Sequence, residues 1–216
     1  MSNLSLTMRD SATMLQRDVR HSLRNLPLTL MSALLVPITM LLLFVYVFGG
    51  AIGAGVAYSG TYIDYVAPAI IVMTVGSGGA TTAINLCLDM REGIIARFRT
   101  MAIARSSVLT GQVLGSLIRT MITVVLIIGI ALLMGFRPSA GPVAWIAALG
   151  VIALFTFALT WMSVAFGLVG KTPAGANSLS LIFQLLAFTS SAFVRPDSMP
   201  VAVRRFAKYQ PFTPVV

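Results

Sequence analysis

The order of apolar and polar positions along the chain sets the first expectation. Five stretches, each of about 20 residues or slightly more, carry almost no charge and so match the thickness of a bilayer core crossed by a helix: 28–48, 65–86, 111–134, 143–169 and 175–194. The first contains Pro37, a kink position, and the second is interrupted by Gly76, Gly78 and Gly79. The third is clean except for Arg119, and the fourth has no charge at all. The fifth is diluted by Asn177, Ser178, Ser180, Gln184 and the run Thr189, Ser190, Ser191. The first 27 residues are polar and basic, with neither an apolar h-region nor a small-residue cleavage site.

Upstream of the first span the period changes. At 100° per residue, Met8, Ala12, Leu15, Val19, Leu23 and Leu26 fall within roughly 80° of one another, with Arg17, Arg20 and Arg24 on the far side. Asp10 or Ser11 is placed to cap this helix and Pro27 to end it. An apolar stripe backed by arginines predicts an interfacial helix lying on anionic lipid, either a topogenic anchor or a lateral strut touching a cytoplasmic partner. The fold expected is an all-α polytopic membrane protein, with an amphipathic helix over 1–27 and a transmembrane domain over 28–216.

Composition agrees. Apolar side chains make up 57% of the 216 residues and charged ones 10%, against about 25% charged in soluble domains. Mean hydropathy is +0.93. The net charge of +9 matters through its location, and because it flanks spans it calls for the bilayer as partner and for no nucleic acid. With the N-terminus in the cytoplasm, inner segments hold Arg9, Arg17, Arg20, Arg24, then Arg91, Arg97, Arg99, Arg105, then Lys171. The early outer segments hold only Arg137, which favours this orientation. Arg195, Arg204, Arg205 and Lys208 then fall outside. Either the 195–216 tail lies on the outer headgroups, which the dominance of the first spans in setting orientation favours, or the fifth span is re-entrant and the tail is cytoplasmic.

Candidate chemistry is sparse. One cysteine, Cys87, leaves no disulfide scaffold or CxxC site, and His21 lies in the N-terminal helix. No metal, cofactor or catalytic residue is expected. The spans hold no acid or histidine of the kind that relays protons; Asp64 only borders the second. Arg119 either snorkels to the inner face or faces a substrate. The string Ala165 to Thr172 approaches the phosphate-cradling G-x-x-x-x-G-K-[ST] loop, but Ala165 stands at the first glycine position, an apolar span precedes it and Pro173 follows. Gly111 and Gly115, four apart, fit a small-residue helix contact, as does the Gly76 to Ala80 stretch.

The densest charge lies between spans two and three, where Ile94, Ile95, Phe98, Met101 and Ala102 share one helical face and Arg91, Arg97 and Arg105 lie elsewhere. Taken alone this is a positive-inside loop or a short surface helix that docks another protein. The motif Glu92-Gly93 followed by Arg97-Phe98-Arg99-Thr100-Met101-Ala102-Ile103-Ala104-Arg105 resembles the signature of ABC-2 type permeases, in particular the daunorubicin-resistance (DrrB-like) group of actinobacterial exporters. Ala192-Phe193-Val194, Met199-Pro200 and Gln210-Pro211-Phe212-Thr213-Pro214-Val215-Val216 resemble that family's segment after span five. The family has Pro where Ala102 stands, and a sixth span where this sequence reaches Val216, so the resemblance describes a C-terminally shortened member.

The resemblance implies a permease subunit in a bacterial cell membrane, exporting a hydrophobic drug, antibiotic or lipid. It implies no ATPase of its own, but a cytoplasmic ATP-binding subunit and a second permease copy or paralogue. Arg91, Glu92, Gly93, Arg97, Phe98, Arg99, Met101 and Arg105 would form the coupling loop, and the 195–216 tail would be extracellular. The alternatives are a non-transporting membrane anchor, accessory protein or inactive truncated permease. A membrane enzyme would want an interfacial His, Asp, Glu or Cys constellation that the sequence does not contain.

Overall fold

A computed structural model describes residues 26–49, 62–91, 105–138, 140–170 and 172–188. All regular structure among them is helical. Helix α1 spans Leu26–Leu42 and continues through a π-helical segment, Leu43–Phe48. Helices α2 (Tyr62–Arg91), α3 (Arg105–Leu133), α4 (Pro142–Val169) and α5 (Pro173–Phe188) follow. Among the described residues, four segments are long and apolar enough to cross a membrane: Met31–Phe48, Tyr62–Arg91, Leu109–Leu133 and Pro142–Val169. The fifth expected span is described over 16 residues, to Phe188; 189–194 lie outside the described residues. So do the N-terminal helix up to Asn25, including Arg17, Arg20 and Arg24, and the 195–216 tail.

The helices start and stop where backbone chemistry requires it. Pro27 lies in the first turn of α1 and Pro142 opens α4 after Gly141. Both positions suit a residue with fixed φ and no N–H. Helix α3 closes on Gly135 at φ +103°. The Phe136 N–H donates to the Ala131 carbonyl at 2.9 Å and the Gly135 N–H to that of Leu132 at 3.2 Å, the paired bonds of a Schellman cap. Phe136 folds back into the core from there.

Helix α2 is the hub. It packs most extensively on α5 and α4, then on α3, and buries residues on every side, from Ile63 to Cys87. The neighbours' directions follow from paired contacts. Thr82 meets Ser116 and Asp89 meets Gln112, so α3 is antiparallel to α2. Gly79 faces Ser163, Ala83 faces Gly167 and the Cys87 thiol donates to the Gly170 carbonyl, so α4 runs parallel to it. Gly76 approaches Phe183 while Ala83 and Cys87 gather with Ala176, which makes α5 antiparallel.

Small residues permit these approaches. A Cβ on Gly78 would stand 2.5 Å from the Thr120 hydroxyl oxygen, and one on Gly79 2.6 Å from that of Ser163. Lipid tails are as apolar as leucine, so membrane helices associate through such close contacts and interhelical hydrogen bonds. On α4 the buried positions Thr156, Leu159, Thr160, Ser163, Val164 and Gly167 form one stripe at helical spacing. Trp145, Leu149, Ile152, Phe155 and Phe166 pack partly against the core, while the outer face of α4 is apolar and exposed, with Val143, Ile146 and Leu154 at 70–80% accessibility. Such a face suits acyl chains and not water.

Candidate functional site

A cleft of about 310 Å³ opens among α1, α2, α3 and α5. Ligand pockets start at about this volume. Helix α2 contributes one face, with Ile70, Thr74, Ser77 and Thr81 spaced by three or four residues. Val36 and the buried Pro37 of α1 form the apolar wall opposite, and Gln184 reaches in from α5. From Ile70 to Thr82 the α2 side runs roughly 18 Å at 1.5 Å per residue, more than half of a bilayer core about 30 Å thick. The cleft therefore lies within the depth of the spans.

Its hydroxyl groups are oriented by their own helices. Thr74 Oγ1 donates to the Ile70 carbonyl at 2.7 Å, Ser77 Oγ to that of Thr74 at 2.8 Å, and Thr81 Oγ1 to that of Ser77 at 3.2 Å. Thr82 Oγ1 donates to the Gly78 carbonyl at 3.0 Å and Thr123 Oγ1 to that of Arg119 at 3.0 Å. A hydroxyl has one proton and two lone pairs. The Thr82 proton is committed to Gly78, so Ser116 is the donor in the hydrogen bond that joins them across the α2–α3 contact.

Arg119 lines this cleft, half-buried. The sequence ruler puts it about eight residues into span three, within snorkelling reach of the inner face. The helix begins at Arg105, fourteen residues before it, and the side chain borders the internal cleft. Among the described residues it forms no ion pair. The two acids described in the bundle sit at its ends: Asp64 accepts from the Arg137 N–H at 3.3 Å, and Asp89 accepts from Gln112 Nε2 at 3.2 Å. A guanidinium at the centre of a span costs about 2.5–3.5 kcal/mol on insertion scales, and such residues mark substrate paths.

The structure places the other expected site residues unevenly. Arg91 is exposed in the last turn of α2, and Arg105 is the first residue of α3. They bracket the expected coupling loop, whose Glu92, Gly93, Arg97, Phe98, Arg99 and Met101 lie outside the described residues. Gly111 and Gly115 are both buried on α3. The cleft itself is not among the sequence-based expectations. Its signal was the Thr74, Ser77, Thr81 spacing on α2, a hydroxyl stripe at the period of one helical face.

The sequence profile of the ABC-2 type transporter family matches residues 10–216. The chain is 30% identical over 178 residues to the daunorubicin resistance ABC transporter permease protein DrrB1 of Streptomyces coeruleorubidus, covering 82% of this chain and 62% of that protein. It is 24% identical over 184 residues to the probable doxorubicin resistance ABC transporter permease protein DrrC of Mycobacterium tuberculosis, covering 85% of this chain and 66% of that one. The chain thus spans somewhat less than two thirds of the length of these relatives.

Proposed function

This chain belongs to the ABC-2 type transporter family, and from that membership we propose that it is the membrane-spanning permease subunit of an ATP-binding cassette exporter for a hydrophobic drug, antibiotic or lipid. The observation that carries the reading is a family match running from residue 10 to residue 216, through the spans and the basic loop alike. The bundle interior supports it, because Asp64 and Asp89 are held at the helix ends and offer no proton relay through the middle. In this reading the driving force comes from a partner. A separate cytoplasmic ATP-binding subunit hydrolyses ATP, and two permease subunits, identical or paralogous, enclose the path.

In this reading the N-terminus is cytoplasmic, and the segment from Arg91 to Arg105 is the coupling elbow. Phe98 and Met101 fill a groove on the ATP-binding subunit, while Arg91, Arg97, Arg99 and Arg105 fix register beside Glu92, with Gly93 shaping the turn. Arg17, Arg20 and Arg24 hold an interfacial helix on anionic headgroups. Because α2 ends and α3 begins at this elbow, a push there acts directly on the two helices that carry most of the cleft lining.

The test is co-expression with an ATP-binding subunit, followed by ATP-dependent transport in inside-out vesicles. Wild type should transport, and Phe98→Asp should hydrolyse ATP without transport while inserting normally. Failure of every ATP-binding subunit to co-purify, or unchanged transport by Phe98→Asp, defeats the corresponding half of the reading.

A further inference from the structure

Resting on the permease reading, we propose that the cleft among α1, α2, α3 and α5 holds the anionic headgroup of an amphiphile, with Arg119 as the group that pairs with it. Arg119 lines the cleft, and among the described residues no carboxylate does. Asp64 and Asp89 are engaged near opposite ends of the bundle, with Arg137 and Gln112. An arginine stays protonated in proteins, so the cleft carries a fixed positive charge in a surrounding of low polarity, where such a charge attracts anions and repels cations strongly.

The hydrogen-bond inventory points the same way. Thr74, Ser77, Thr81, Thr82 and Thr123 donate their protons to carbonyls of their own helices. The cleft donors left for a ligand include the Arg119 guanidinium, the Gln184 amide and the Thr120 hydroxyl, all in its lining. A planar guanidinium matches a phosphate or carboxylate with two parallel hydrogen bonds. The lone pairs left on the α2 hydroxyls suit neutral hydroxyl donors on the same headgroup.

Shape completes the case. The volume of about 310 Å³ is at the lower limit for drug-sized ligands, enough for a headgroup and the first part of a chain. Val36, Pro37, Ile70 and Met73 make an apolar wall beside the polar stripe. Exposed Met31, Leu35 and Val36 on α1 continue that apolar surface outward, so a tail that does not fit inside has a greasy surface to follow. An amphiphile meets both requirements; a small hydrophilic anion meets only the first.

The experiment measures binding to the purified protein in nanodiscs of zwitterionic lipid. Dodecyl phosphate is compared with dodecyltrimethylammonium added from solution, and fluorescent phosphatidylglycerol with fluorescent phosphatidylcholine placed in the bilayer. The anionic member of at least one pair should bind preferentially. That preference should fall by about tenfold to a hundredfold in Arg119→Gln, the usual effect of losing a charged hydrogen-bond pair, and be partly restored in Arg119→Lys. A preference seen with the phospholipid pair names a membrane lipid as the source, and one seen only with the dodecyl pair names a soluble amphiphile. Equal affinity for anion and cation in the wild type, or an undiminished preference in Arg119→Gln, overturns the proposal. Arg119-dependent anion binding without any ATP-driven transport would sink the permease reading and leave the site standing. ATP-driven transport without anion preference would do the reverse.

Discussion

Gly167 of α4 and Ala83 of α2 touch through their backbones: a Cβ on Gly167 would lie 2.8 Å from the Ala83 carbonyl oxygen and 3.2 Å from its Cα. Neither atom can swing aside as a side chain would. Gly167→Ala should therefore lower stability by about 1–3 kcal/mol, the usual cost of overpacking. Gly150 on the same helix has open space around its Cβ position, so Gly150→Ala should be neutral or stabilising by up to about 1 kcal/mol. Thermal unfolding of both variants in one detergent tests the contrast, and equal shifts would refute it.

Thr82 and Ser116 share a buried hydrogen bond between α2 and α3. A double-mutant cycle with Thr82→Val and Ser116→Ala should yield a coupling energy of about 0.6 kcal/mol, the average for interhelical bonds in a membrane protein. Denaturation in mixed micelles provides the reading. Strictly additive effects would mean the two hydroxyls act separately.

Gly135 ends α3 at φ +103°, where a Cβ is strained although nothing crowds it. Gly135→Ala should cost about 1–2 kcal/mol, and Gly135→Asn less, since asparagine visits left-handed conformations more readily. Unfolding midpoints of the pair should rank in that order, with wild type highest.

Cys87 is buried and free, its thiol donating to the Gly170 carbonyl at 3.2 Å. Maleimide should modify it slowly in the folded protein and rapidly after unfolding. In a Cys87→Ser background, Arg99→Cys should react with a membrane-impermeant maleimide in inside-out vesicles and not in intact cells. The opposite pattern would reverse the proposed orientation and remove the coupling elbow from the reach of any cytoplasmic partner.

Much of the helix plan was legible because lipid imposes a length. Span four, read as 143–169, is the helix Pro142–Val169. Span two, read as 65–86, extends to Tyr62–Arg91, because a hydropathy ruler stops at Asp64 and Asp89 while a helix end tolerates acids that have partners there. The Gly76 to Ala80 stretch was recognisable as a contact surface, and Gly78 and Gly79 do meet neighbouring helices.

Which neighbours they meet was not legible. Gly78 finds Thr120 and Gly79 finds Ser163, pairings set by the rotation of α3 and α4 about their own axes. Gly167 stands inside the Ala165 to Thr172 string, whose likeness to a phosphate loop says nothing of helix packing. The cleft was hidden because its lining is shared among four helices. Arg119 was visible as the lone charge of its span, but its depth depends on where α3 begins, at Arg105, and its bearing toward the cleft on the rotation of that helix.

The central helix has a further consequence for how the protein is made. An 18-residue window of Tyr62–Arg91 has a mean hydropathy of 1.5, against 2.4, 2.4 and 2.3 for windows of that length in the other three candidate spans. It is thus the segment least drawn to acyl chains and the one most wrapped by its siblings. On its own it would leave the translocon reluctantly. Its residence in the bilayer is secured by the later arrivals that close around it, so biogenesis of this protein is a cooperative act in which α3, α4 and α5 retain a helix that lipid alone holds weakly.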